Sequence, residues 1–252
     1  MPENFRKTII SRNRVDVVEM EHMNMGKNRS KTVNTHKRVV SEAEKEAHYM
    51  RRQREKAEHF KRLIEINFLE KQSTFVTLTF LKQPSDLKTA NKHVRNFIRF
   101  LKKRYMNLRY LAVVESNEKG YLHYHLVLNV ICDKMLEEDI RKGWKHGIEV
   151  DIKEVYNVMG LAVYMMKQFY KKDAALYGKK RCLHSEELQE EVVVKSWDAD
   201  AELEKYVKTG LKREKPVSYY LCQNENAGVV QYSSYDKEFA FFDPYVIASR
   251  IT

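Results

Sequence analysis

LRYLAVVESNEKGYLHYHLVLNV, residues 108–130, decides the fold. Two apolar runs, LRYLAVVE (108–115) and YLHYHLVLNV (121–130), flank the short polar stretch SNEKG with its single glycine, and this pattern predicts a β-hairpin. Upstream, TFVTLTFL (74–81) is β-branched and aromatic and stops at Gln83-Pro84, so it reads as a buried strand. Between strand and hairpin, Ser85 or Asp86 caps a helix running to about Tyr105. Its apolar face is Leu87, Ala90, Val94, Phe97, Leu101 and Tyr105 at spacings of three and four. After the hairpin, Asp133 opens a short helix to about Lys142, GIEVDIKEV (147–155) alternates like a strand, and 157–172 regains helical period through Val158, Leu161, Ala162, Met165 and Phe169. The order βαββαβα points to an α+β protein: a ferredoxin-like split βαβ layer with a central antiparallel sheet and helices on one face.

Three segments are expected: a basic N-terminal extension (1–70) with one charged helix over 41–70, the central domain (71–185), and an acidic mixed α/β extension (186–252). In the first, Arg51, Arg52, Arg54 and Lys56 form a basic cluster that reads as a solvated helix face. In the last, EVVVK, VSYYLC and GVVQY are strand-like, and Asp198 to Val207 reads as an acidic helix.

Composition narrows the function classes. The chain has 252 residues, 43% apolar and 32% charged, with 15 Tyr and 11 Phe, so it carries enough apolar surface for a real core. Eight Gly and four Pro exclude collagen-like and linker-rich readings. Cys132, Cys182 and Cys222 make no Cys-x-x-Cys pair, which speaks against a zinc ribbon and a secreted disulfide scaffold and fits a reducing compartment. The N-terminus has no apolar export segment, and no run approaches a membrane span, so a soluble protein is expected. The net charge of +11 divides unevenly: +5 over 1–70, +10 over 71–180 and −4 over 181–252. A polyanion partner for the central segment is therefore expected. Lys88, Lys92, Arg95, Arg99 and Lys102 recur every three or four residues on the 86–105 helix and make a candidate phosphate-tracking stripe.

The chemistry sits in the hairpin. His123 and His125 are two apart on one strand, so both imidazoles leave the same face and can bind one divalent cation. A hairpin through SNEKG that pairs Glu115 opposite His123 adds a carboxylate to that face, giving a three-donor site with open positions. On the 157–172 helix, Tyr164 and Lys167 are three apart, so a phenol and an ammonium can reach one phosphate. The same spacing recurs at Tyr177 and Lys180 in a stretch read as a loop.

FVTLTF, then Glu115 with HYHLVL, then VYMMK, in that order over roughly residues 74–185, resembles the three motifs of the HUH endonucleases, in particular rolling-circle replication initiators of plasmids and small single-stranded DNA phages. The resemblance implies Mg²⁺ or Mn²⁺ held by Glu115, His123 and His125, and Tyr164 attacking a phosphate of single-stranded origin DNA to give a 5′-phosphotyrosine. It also implies Lys167 steadying the phosphate, and a cytoplasmic setting in a bacterial host. Four residues after Tyr164 stands Gln168, so a single-tyrosine enzyme is expected. Gln168 also matches the third metal ligand of single-strand transposases in the same superfamily, the rival reading. No G-x-x-x-x-G-K-[ST] loop occurs, so no nucleotide is expected and unwinding would fall to a host helicase. From a different class, a non-catalytic module would use the sheet as an RNA-recognition-like stacking platform with Tyr121 and Tyr124.

Overall fold

The computed structural model describes residues 5–10, 14–20, 41–147, 149–171, 176–196, 218–224 and 228–236. They contain ten strands and four α-helices: β1 (Phe5–Ile10), β2 (Arg14–Met20), α1 (Glu42–Asn67), β3 (Thr74–Thr79), α2 (Leu87–Lys102), β4 (Tyr110–Ser116), β5 (Leu122–Leu128), α3 (Lys134–Gly143), β6 (Val150–Glu154), α4 (Val158–Met166), β7 (Cys182–His184), β8 (Val192–Ser196), β9 (Ser218–Asn224) and β10 (Gly228–Asp236). The chain divides into two compact units, residues 41–189 and residues 1–40 with 190–252.

The larger unit is built on an antiparallel sheet of order β6-β3-β5-β4-β7. Its elements follow the order read from the sequence. Strand alternation gives the sheet two apolar faces. Val76, Leu78, Ala112, Val114, Tyr124, Leu126 and Leu128 face α2 and α3, where they meet Ala90, Val94, Phe97, Leu101, Leu136 and Ile140. The Asp86 carboxylate caps α2 by accepting from the Thr89 N–H at 2.6 Å, and the Asp133 carboxylate does the same for α3 through Leu136 at 2.7 Å. Full burial of each Val, Leu or Phe on this face contributes about 1.5–3 kcal/mol.

The opposite face is covered too, which the sequence did not lead one to expect. Leu111, Val113 and Val127 pack there against Ala57, Phe60, Leu63 and Ile64 of α1 and Val158, Ala162 and Met165 of α4. So α1 is more than a solvated arm: its second half closes the sheet, while Arg51, Arg52, Arg54 and Lys56 remain exposed as expected. Its start carries a capping box in which the Glu44 N–H donates to Ser41 Oγ and the Ser41 N–H to the Glu44 carboxylate. Its last residue, Asn67, donates Nδ2 to the carbonyls of Leu63 (3.0 Å) and Gln189 (2.8 Å) and accepts from the Gln189 N–H at 2.8 Å. These contacts set the compact unit at 41–189 rather than the expected 71–185.

The second unit is an antiparallel sheet of order β8-β1-β2-β10-β9. The strand-like runs of 186–252 are β8, β9 and β10, and two N-terminal strands complete their sheet. Ile9, Ile10, Val15, Val17 and Val230 are buried. The three-segment division is thereby corrected: residues from both ends of the chain form one sheet, because β1 pairs with β8 and β2 with β10. The acidic helix expected at 198–207 lies outside the described residues.

Candidate metal centre and nucleophile

The hairpin turn fixes the register of everything in the site. The Asn117 N–H donates to the Tyr121 carbonyl at 3.0 Å, and Asn117 Oδ1 accepts from the N–H groups of Lys119 and Tyr121 at 3.0 and 2.9 Å. Gly120 adopts φ +78°, a left-handed conformation that side chains with a Cβ resist. From this turn, β4 and β5 pair with Glu115 opposite His123 and Val113 opposite His125, the register expected from the sequence. Glu115, His123 and His125 therefore project from the face covered by α1 and α4.

The carboxylate leans diagonally along the ladder to the second histidine: His125 Nε2 is hydrogen-bonded to Glu115 Oε2. The other ring nitrogen, Nδ1, lies 3.3 Å from Thr77 Oγ1 on β3, so the neighbouring strand holds the ring with Nε2 toward the carboxylate. His125 is buried and His123 half-buried. His123 Nε2 lies 3.4 Å from Asn117 Nδ2. Burial pushes the His123 pKa down, with His125 adding to the shift and the Glu115 charge opposing it, in the direction of the neutral form a metal ligand needs. Glu115, His123 and His125 do not bring three ligand atoms to within 4.8 Å of one another. The donor set and its shared face fit a hard or borderline divalent cation.

The Glu115 pKa falls below its ordinary value: burial raises it, and hydrogen bonds from Lys171 and His125 outweigh that. Lys171 is the cation that reaches this site, its ammonium bonded to Glu115 Oε1. Sequence reasoning singled out Lys167 instead. That residue is exposed and its side chain makes no hydrogen bond or ion pair among the described residues. The α-helix ends at Met166 and tightens into a 3-10 turn over Lys167–Phe169. Helical spacing from Tyr164 does not lead to Lys171, because the α-helix has ended before it.

Tyr164 projects from α4 toward the same site. Its ring meets the His125 ring edge-on at 5.5 Å and the Phe75 ring edge-on at 6.1 Å, while Phe75 stacks on His125 at 5.8 Å. The residue remains 45% exposed. Two caps position α4: the Gly160 N–H donates to Asn157 Oδ1 at 2.7 Å and the Val158 N–H to Glu70 Oε1 at 3.1 Å. The Tyr164 pKa is raised, first by burial and then by the Glu115 charge, with Lys171 and Lys153 opposing.

Gln168, the alternative ligand, is 4% exposed, and its Oε1 has no hydrogen-bond partner among the described residues. Such a buried acceptor is costly unless something pairs with it. Arg181, also buried, donates NH1 to the Gln168 carbonyl (2.5 Å) and the Lys171 carbonyl (3.0 Å), satisfying acceptors left over where the helix ends.

The basic stripe sits elsewhere. Lys88, Lys92, Arg95 and Arg99 are exposed on α2, whereas Lys102 is half-buried and 3.6 Å from Glu187. Because α2 covers the face opposite the histidines, the stripe and the site lie on different sides of the sheet. Spacing along a helix reports which residues share a face, not which side of a sheet receives it. Tyr124 cannot stack on a base: it is 1% exposed and its hydroxyl donates to Asn91 Oδ1 at 2.7 Å. Tyr121 is exposed. None of the described helices is long and apolar enough to cross a membrane.

Residues 73–173 match the family model described as replication-associated protein ORF2/G2P. The matched segment holds Glu115, His123, His125, Tyr164, Lys167, Gln168 and Lys171, and it bears out the resemblance to rolling-circle replication initiators read from the three motifs. No curated protein and no solved structure matches the chain.

Proposed function

We propose, on the premise that residues 73–173 are those of a replication-associated protein, that the central unit nicks and rejoins single-stranded DNA at a replication origin through Tyr164. The observation that carries this reading is the convergence of a carboxylate, an imidazole held between Thr77 and Glu115, and a partly exposed tyrosine over one sheet face, with the His125 and Tyr164 rings 5.5 Å apart. Glu115, His123 and His125, with Gln168 as the alternative third donor, would hold Mg²⁺ or Mn²⁺. Such an ion polarises phosphoryl oxygens as a Lewis acid.

The chain's own residues do the rest. The Tyr164 oxygen bonds to phosphorus, the bond from phosphorus to the 3′ oxygen breaks, and the released 3′ oxygen takes up a proton. One phosphodiester replaces another, so the step is reversible and permits resealing. Burial and the Glu115 charge keep the phenol protonated at rest, so added positive charge beside it favours attack. Lys171 and Lys153 already act in that direction. Lys88, Lys92, Arg95 and Arg99 would hold DNA phosphates on the far side of the sheet, away from the cleaved bond, and a helicase of the host would expose the strand.

The test is adduct formation on a single-stranded origin oligonucleotide with Mg²⁺. Wild type is expected to yield a covalent protein–DNA band. Tyr164→Phe is expected to yield none, and His123→Ala with His125→Ala is expected to bind DNA without cleaving it. An adduct formed by Tyr164→Phe removes Tyr164 from the role. A transposase would instead join the cleaved ends to a second DNA, a product the same gel distinguishes from a closed circle.

A further inference from the structure

Both oxygens of Glu115 are engaged, Oε2 by His125 and Oε1 by the ammonium of Lys171. Lys171 is not delivered by chance. Its side chain is about half exposed, but its carbonyl is pinned by Arg181, a guanidinium that is itself 4% exposed and also holds the Gln168 carbonyl. The backbone over 168–171 is thus anchored just where the regular helix has given way, and the anchored residue points a cation at the one carboxylate of the site. We infer that Lys171 and the divalent cation compete for Glu115, so that Lys171 fills the cation's place when the site is empty and sets its affinity. The inference rests on the metal reading above and goes beyond it by naming the residue that opposes loading.

The physical basis is repulsion between two cations drawn to one carboxylate. A dication on Glu115 either displaces the ammonium from Oε1 or shares the carboxylate with it, and two cations on one carboxylate repel. The observed affinity is then the intrinsic affinity reduced by the fraction of molecules whose carboxylate is free. A pair with one half-exposed partner is modest in strength, so the penalty is modest as well. The displaced ammonium remains tethered beside Tyr164, where it acts on the phenol and on an approaching phosphate. Loading the site therefore moves a positive charge from the carboxylate to the substrate.

The test is isothermal titration of the full chain with MnCl₂ alone, without DNA, at neutral pH and low salt. Lys171→Met and Lys171→Gln are expected to bind Mn²⁺ about three- to tenfold more tightly than wild type, and Lys171→Arg to bind as wild type does. A lysine with a merely structural role would leave the affinity unchanged or weaken it on removal. Equal or weaker binding by both neutral variants, with native circular dichroism, overturns the inference while wild-type Mn²⁺ binding keeps the metal reading intact. Absence of Mn²⁺ binding in wild type and all variants overturns the metal reading and the inference together.

Discussion

Phe75 is a residue through which the aim of the nucleophile can be tested without substituting a donor or the tyrosine itself. It lies on β3 opposite Val127, half-buried, stacked on the His125 ring at an interplanar angle of 9° and meeting Tyr164 edge-on at 87°. Tyr164 is held laterally by two rings, Phe75 and His125. Replacing Phe75 by Leu keeps most of the apolar volume and deletes one of those two contacts. An aromatic pair contributes about 0.5–1.5 kcal/mol beyond its burial. If the pair keeps Tyr164 in its attacking orientation, that energy is lost from the transition state, and the rate falls about two- to tenfold. The assay is single-turnover nicking of a labelled origin oligonucleotide with Mg²⁺, with adduct and free 3′ product quantified together. DNA affinity, measured by fluorescence anisotropy, is expected to stay at the wild-type value, so the loss falls on the rate constant and not on binding. A Phe75→Leu protein that nicks at the wild-type rate would falsify the claim that this ring orients the nucleophile.

Asn67→Ala removes the two hydrogen bonds that tie the end of α1 to Gln189 and one to the Leu63 carbonyl, leaving partly buried backbone groups unpaired. Urea denaturation is expected to show a loss of about 2–3 kcal/mol, and a loss below about 0.5 kcal/mol contradicts this reading of the larger unit's boundary. Glu115 has a folded-state pKa below its ordinary value of 4.5, so its contribution to stability is present above that pH and is lost as pH falls through the folded value. Wild type is expected to lose stability more steeply than Glu115→Gln below about pH 5, so the gap between their melting temperatures narrows toward acid. A gap independent of pH refutes the ion pairs drawn around this carboxylate.

The parts of the fold legible in the sequence are those whose signal is local. The hairpin, the Asp86 and Asp133 caps and the apolar face of α2 each depend on residues within a few positions of one another, and each appears where its pattern predicts. So does Glu115 opposite His123, because a five-residue turn leaves the register little freedom. The second sheet was only partly legible: β1–β2 and β9–β10 are local hairpins, but β1–β8 and β2–β10 join segments about two hundred residues apart, and no periodicity in FRKTII names such a partner. The packing role of α1 was obscured for a different reason. Only its second half is buried, so the pattern over 41–70 averages a solvated half with a covered one. Lys171 was illegible because the α-helix ends at Met166, and it is the 3-10 turn and the Arg181 anchor, not a helical period, that bring the later lysine to the carboxylate.

β5 runs between β3 and β4 and is bonded to both, and this limits where the protein can change length. A single residue inserted within Leu122–Leu128 would exchange the two faces of the strand beyond it, presenting Tyr124 or Leu126 where an imidazole belongs and driving histidine into the apolar layer under α2. No single compensating substitution repairs that. A residue added in the exposed turn at 117–121 leaves the β3–β5 ladder untouched, and the β4–β5 ladder keeps Glu115 opposite His123 only if the longer turn absorbs the extra residue. Variants of this chain can therefore differ in the reach of the hairpin tip while the spacing from His123 to His125 stays at two.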